Sequence, residues 1–155
     1  MTDTAQELSR LARQLRPAGV EVHGVVTEVV PDRRTVVSRW FAAMATVPFS
    51  VIPLGIDAED LSRRWWELCD ELKIFADGPD GRRCLLSAEG YALPWVEIEV
   101  PDRAPLTIHA GPRPDEPSLI VFDRHHRVLL GLDTEEDGHR VFVARVEEGR
   151  IINVR

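Results

Sequence analysis

The sequence predicts an α+β fold in which two to three helices of the N-terminal half pack on a mostly antiparallel sheet, a meander formed by the C-terminal half. After residue 81, short β-rich runs alternate with polar turn clusters. Before it, apolar residues recur at helical spacing. The length of 155 residues suits one hydrophobic core, so we interpret 1–155 as a single domain. The turn clusters stand at 89–90, 123–126, 135–138 and 147–149.

The first thirty residues predict a helix followed by a strand. Thr4 and Glu7 form a capping-box pattern, in which a hydroxyl and a carboxylate accept from backbone N–H groups at a helix start. The pattern predicts a helix from about 5 to 16. The valine-rich run 20–30 alternates with polar residues, and its parity slips after Gly24. This slip predicts a strand with a bulge at the glycine.

Residues 33–40 fit two structures. The spacing of their apolar side chains and the alanines that follow favour a helix capped by Asp32. In the alternative, residues 31–34 form the turn of a hairpin, and the chain returns as a strand over 35–40. The next run, 47–55, contains two prolines, so we expect an edge strand or an extended connector there.

The segment 57–75 is the clearest helix in the sequence. Asp57 is placed to cap it, and five apolar residues repeat at spacings of four and three. These residues are Leu61, Trp65, Leu68, Leu72 and Phe75. Trp66 lies about 140° around the helix from the first residue of that stripe. We expect Trp66 either at the margin of the core under a loop or exposed as an aromatic anchor for a partner.

A dense turn signal at 77–81 separates this helix from seven predicted strands. Within the second predicted strand, Val96, Ile98 and Val100 share one face, while Trp95, Glu97 and Glu99 share the other. The predicted strands lie at 82–87, 91–100, 106–109, 119–122, 128–132, 140–146 and 151–154.

Charge and hydropathy exclude several classes of protein. The formal net charge is −7, which disfavours nucleic-acid binding because neutralising phosphates requires a basic surface. No apolar run reaches the length of a membrane span, and the first residues lack the pattern of a secretory signal. We therefore expect a cytoplasmic protein that binds neither nucleic acid nor membrane.

No arrangement of residues predicts catalysis. The two cysteines lack a redox or zinc spacing, and neither a phosphate-binding glycine loop nor a nucleophile elbow is present. A metal site at Asp123, His125 and His139 would require neighbouring strands to bring them together, and solvent-facing turns explain them as well. We predict no catalytic residue, no metal and no cofactor.

The acidic balance favours a non-catalytic binding module, such as an immunity-type or antitoxin-like inhibitor or an accessory subunit, that engages a basic protein partner. A homodimer is a further possibility. The residues expected to bind the partner are Trp66, Trp95, Glu97, Glu99, Glu135, Glu136 and Asp137.

The alternative is a small-ligand carrier or enzyme. Helices first and a meander last is an element order similar to that of cone-shaped ketosteroid-isomerase-like folds, which implies a pocket near Trp40, Tyr91, Trp95 and Glu97. An apolar cavity with an inward-pointing acid–base residue would favour this alternative.

Overall fold

The computed structural model describes residues 3–44, 48–75 and 83–154, without the side chains of 41–44. Three helices lie in the N-terminal half: α1 (Thr4–Leu15), which continues into a 3₁₀ turn at Arg16–Ala18, α2 (Arg33–Met44) and α3 (Ala58–Glu71). A single-turn helix, α4 (Leu106–His109), interrupts the strands. The strands are β1 (Glu21–Val26), β2 (Ser50–Ile52), β3 (Arg83–Ala88), β4 (Trp95–Glu99), β5 (Ser118–Asp123), β6 (Val128–Glu135), β7 (Gly138–Glu147) and β8 (Arg150–Val154).

The eight strands form one antiparallel sheet in the order β1-β4-β3-β5-β6-β7-β2, with β8 also paired to β7. β2 pairs with residues 139–141 of β7 and β8 with residues 143–147, while β6 pairs with 138–145. Two short strands therefore lie end to end along one edge of β7. The predicted α+β fold is confirmed, although β4 departs from a plain meander by turning back to lie between β3 and β1.

Helices cover both faces of this sheet. On the α3 face, side chains of α1, α3 and α4 pack against alternate strand residues, among them Val96, Ile98 and Leu130. On the α2 face, a smaller cluster joins Val36 of α2 to Trp95 and other strand residues. The alternation predicted along β4 is confirmed: Val96 and Ile98 enter the α3-face core, whereas Trp95 enters the α2-face core and Glu97 and Glu99 lie at the surface.

The helix starts follow local capping chemistry. Asp57 caps α3 as predicted, because its carboxylate accepts from the N–H of Asp60 at 2.8 Å. At α1 the capping box is wrong: Asp3 caps the helix by accepting from the N–H of Ala5 at 3.2 Å. Thr4 is already helical, and the Glu7 carboxylate instead accepts from the N–H of Ala92 at 3.0 Å.

Several other predictions are decided by the structure. The segment 33–40 is helical, so the hairpin alternative is wrong. β1 has its irregularity between Val22 and Gly24, and β2 is an edge strand, both as predicted. The strand predicted at 106–109 is wrong, because this segment is the helical turn α4, whose Leu106 is fully buried in the α3-face core. The predicted turn at 77–81 lies outside the described residues.

The contact between Trp40 and Gly131 places α2 on the sheet. A Cβ added to Gly131 would overlap three ring atoms of Trp40, so the missing side chain provides the space that the indole occupies. The same indole meets the ring of Phe142 edge-on, with centroids 4.6 Å apart. A bulky side chain on α2 thus fits a gap on the central strand β6.

We expect Gly131→Ala to destabilise the protein by about 1–3 kcal/mol, because the new methyl group and the indole compete for one volume. Urea unfolding of the two proteins measures the difference. In a Trp40→Ala background the same substitution should cost much less, since the competing ring is gone. An equal cost in both backgrounds would mean that Trp40 does not occupy this space.

Candidate functional site

An open cleft of about 440 Å³ lies on the α2 face, at the end of the sheet where β3 and β6 finish and β5 begins. Val37 and Trp40 of α2 form an apolar wall, together with Ile120 of β5. The rest of the lining comes from the ends of the strands and from the loop that precedes β5. The cleft lies beside the Trp40 contact, so the packing of α2 determines its shape.

Arg33 forms the basic wall of the cleft and is itself tied to the sheet. Its Nε donates to the hydroxyl of Ser87 at 2.9 Å, and its Nη2 donates to the backbone oxygen of Tyr91 at 3.1 Å. Burial lowers the pKa of its guanidinium, which remains charged at neutral pH. These bonds fasten the first turn of α2 to β3 and to the segment that follows it.

Four carboxylates also line the cleft, belonging to Glu89, Glu116, Asp133 and Glu135. Asp133 and Glu135 share one face of β6 because residues two apart on a strand point the same way. Asp133 lies opposite Ser118 of β5, whose hydroxyl donates to its carboxylate at 2.9 Å. The alternation of β6 thus places two acids beyond the apolar part of the α2 face.

Asp133 is the group in the cleft whose acidity changes most. Its pKa rises to about 6, first because of partial burial and second because its carboxyl hydrogen-bonds with that of Glu135. The negative charges of Glu135 and Glu89 raise it further, while the Ser118 hydroxyl lowers it. A carboxyl pair of this kind holds a proton in mild acid and is an attractive site for a cation once the proton leaves.

The two tryptophans predicted to bind a partner belong to the cores. Trp66 is 5% exposed, and its Nε1 donates to the backbone oxygen of Ala104 at 2.7 Å. It is therefore not an exposed anchor; the segment before α4 covers it, in line with the alternative placement under a loop. Trp95 is 1% exposed, and its Nε1 donates to the backbone oxygen of Pro31 at 3.1 Å.

Glu97 and Glu99 lie at the surface of β4 and pair with arginines. Arg83 lies 3.8 Å from a carboxylate oxygen of Glu97 and 3.3 Å from one of Glu99. Arg124 lies 3.4 Å from the other oxygen of Glu97. Neither glutamate lines the cleft, and their neighbours satisfy much of their charge.

The predicted acidic hairpin tip, 135–137, joins β6 to β7. Glu135 lines the cleft, Glu136 is exposed, and Asp137 binds Arg140 through two hydrogen bonds of 2.9 and 3.0 Å. The other acidic tip, at 147–148, lies at the far end of the ten-residue strand β7, about 30 Å away. The two acidic tips therefore do not form one surface.

The histidines of the two turns at the ends of β6 and the two cysteines do not form a catalytic or metal-binding arrangement with one another. Asp123 accepts from the N–H groups of His125 and His126, while His139 is buried beside Thr134 at the other end of β6. The combination of Asp123, His125 and His139, considered in the sequence as a possible metal site, does not form. Burial in the α3-face core raises the pKa of both cysteine thiols, which opposes formation of the nucleophilic thiolate.

No protein-family model matches this chain, and no curated protein or solved structure shows significant similarity to it. None of the described helices has the length and apolar character needed to cross a membrane. The geometry of the cleft is therefore the basis on which a function is argued.

Asp133 should make the protein less stable as the pH rises. Because its pKa is higher in the folded chain than its ordinary value of 3.8, the folded state holds more protons between about pH 4 and pH 6. We expect the stability that this group contributes below pH 4 to be lost by pH 7, by about 1 kcal/mol after solvent screening.

The measurement is urea unfolding of the wild type and of Asp133→Asn from pH 4 to pH 7, analysed as the difference between them. Subtraction removes the effects of the other carboxylates. Glu135→Gln is the companion variant, and it should lower the pKa of Asp133 without restoring its ordinary value, because burial is the larger cause. A difference that does not change with pH would contradict the assignment.

Proposed function

We propose that this protein is a non-catalytic binding module whose acidic cleft receives a cationic side chain from a basic protein partner. The observation that supports the proposal best is the carboxyl pair of Asp133 and Glu135 in an open cleft, where Asp133 is partly buried and Glu135 is exposed. Two such carboxylates repel each other once both are ionised. A guanidinium or ammonium group placed between them would replace the shared proton and remove this repulsion.

The rest of the cleft suits such a side chain. Glu89 and Glu116 add negative charge at its walls, whereas Arg33 already donates to Ser87 and to the chain at Tyr91. The apolar wall of Val37 and Trp40 would contact the methylene groups of an arginine or lysine while its charged head reached the carboxylates. The net charge of −7 would speed the approach of a basic protein.

The proposal changes which residues bind the partner. Glu135 remains from the sequence-based set, and Asp133, Glu89 and Trp40 join it. The nearby tip residues Glu136 and Asp137 would form the rim. Nucleic acid and membrane surfaces stay outside the proposal because their phosphates would be repelled by these carboxylates.

A small cationic ligand is the second candidate, favoured by the volume of the cleft. A space of about 440 Å³ falls within the range of pockets that hold small molecules. Of the residues expected to surround a ligand in a cone-shaped fold, Trp40 lines this cleft, while Trp95 and Glu97 lie elsewhere. An aliphatic diamine has the charge and the apolar stem that the cleft would accept.

Binding of a short arginine-containing peptide, with spermidine as the small-ligand probe, tests both candidates by calorimetric titration. We expect Asp133→Asn combined with Glu135→Gln to weaken peptide binding at least about tenfold, or about 1.4 kcal/mol. Binding by the wild type should also weaken as the pH falls below about 6, because Asp133 then takes up its proton. Tight binding of spermidine without binding of the peptide would favour the second candidate.

The matched control is Glu147→Gln combined with Glu148→Gln. It removes the same two charges at the far end of β7, away from the cleft. This variant should bind the peptide nearly as well as the wild type. Equal weakening in both double variants would mean that the peptide responds to net charge alone, and the proposal would then fail.

A further inference from the structure

Two carboxylates stand directly opposite each other at the outer edge of the sheet, where β1 pairs with β4. Glu21 is the register partner of Glu99, an arrangement in which like charges destabilise a strand pair. Arg83 lies 3.3 Å from Glu99, on the side away from β1. Glu21 contacts His23, whose Nε2 lies 3.8 Å from one of its carboxylate oxygens.

The bulge in β1 brings this histidine to the carboxylates. Val22 pairs with Ile98 and Gly24 with Glu97, so His23 is the extra residue between two successive register partners. Ligand atoms of Glu21, His23 and Glu99 all lie within 4.8 Å of one another. Within the described ranges, no other three histidine, cysteine or acidic side chains meet in this way.

We propose that Glu21, His23 and Glu99 form a binding site for a divalent transition-metal ion, with Zn²⁺ as the ion that fits best. One imidazole and two carboxylates are ligands that zinc accepts. Three protein ligands leave one tetrahedral position for water or for a ligand from another molecule. The ion would offset the opposed charges of Glu21 and Glu99 and join the edge strand β1 to β4.

The geometry requires only small side-chain movements. Ligand atoms of tetrahedral zinc lie about 3.4 Å apart, so the present separations of up to 4.8 Å must close by at most about 1.4 Å. The side chains of Glu21, His23 and Glu99 are 69%, 31% and 42% exposed, so an ion has access to them from solvent. Gly24, beside His23, has no Cβ, and the space where one would lie is open.

Arg83 is the cation that competes with the metal. It bridges Glu99 and Glu97, so zinc must share Glu99 with it or displace it. This competition predicts an effect that a non-specific surface site would not show. Removal of the arginine should strengthen zinc binding, although it takes away no metal ligand.

The test is calorimetric titration of the full chain with ZnCl₂, together with thermal unfolding at the same zinc concentrations. We expect one equivalent of zinc to bind the wild type and to raise its unfolding temperature, because ligands that favour the folded state stabilise it. His23→Ala and Glu21→Gln should each weaken binding at least tenfold, while Arg83→Ala should strengthen it several-fold. MgCl₂ should have no comparable effect, since magnesium prefers sites made of oxygen ligands.

The control variant is His125→Ala, which removes an exposed histidine from the β5–β6 turn. It should bind zinc as the wild type does. Chemical shifts of the His23 ring, followed by NMR during the titration, provide a readout on the folded wild type that needs no variant. Unchanged His23 signals at saturating zinc, or equal zinc binding by wild type and His23→Ala, would overturn the proposal.

Discussion

The packing of Trp40 over Gly131 decides where α2 lies, and the α2 face of the sheet depends on that position. With the indole seated on β6, Val36 meets the apolar part of the sheet and Arg33 reaches Ser87 at the end of β3. The strand ends beyond the helix then stay open as the cleft. The absence of a side chain at Gly131 thus affects both the packing of this core and the shape of the candidate site.

On the α2 face, single strands carry apolar side chains over one part of their length and polar side chains over another. Side chains such as Leu129 and Phe122 are buried under the helix, while Asp133 and Ser118, farther along β6 and β5, are polar. Because alternation sends all of these to one face, the same pleat produces both the core and the cleft. Partial burial of Asp133 in this cleft is the first cause of its raised pKa.

Local patterns predicted the helices and most strands because their signals lie within a few residues. Asp57 and the stripe that follows it predict α3, although the helix ends at Glu71, before Leu72 and Phe75 of that stripe. Asp3 and Thr4 are adjacent residues that both suit a helix cap, and Asp3 is the one that caps α1. The Glu7 carboxylate, which a capping box would need, accepts instead from the distant N–H of Ala92. The segment 106–109 was predicted as a strand because four residues show too little periodicity to reveal a buried helical turn.

The candidate site could be predicted only in part. Glu135 was recognised by its acidic neighbours, whereas Asp133 and Arg33 become partners in a cleft only through the β5–β6 register and the docking of α2. Trp66 was misleading because the spacing along α3 described one apolar stripe, while α4 and the segment before it bury a second side of that helix. Contacts between residues far apart in sequence leave no pattern in a local window.

The order of the strands in the sheet also determines how long some strands wait for their partners while the chain is made and folds. Both ends of the sheet order, β1 and β2, come from the N-terminal half, and their partners β4 and β7 follow about 70 to 90 residues later. Each edge therefore closes through a long loop, whose entropic cost slows folding. During translation β1 and β2 emerge well before the strands that pair with them, and their backbone groups remain available to other chains. Each of these two strands therefore stays unpaired until a strand made much later joins it.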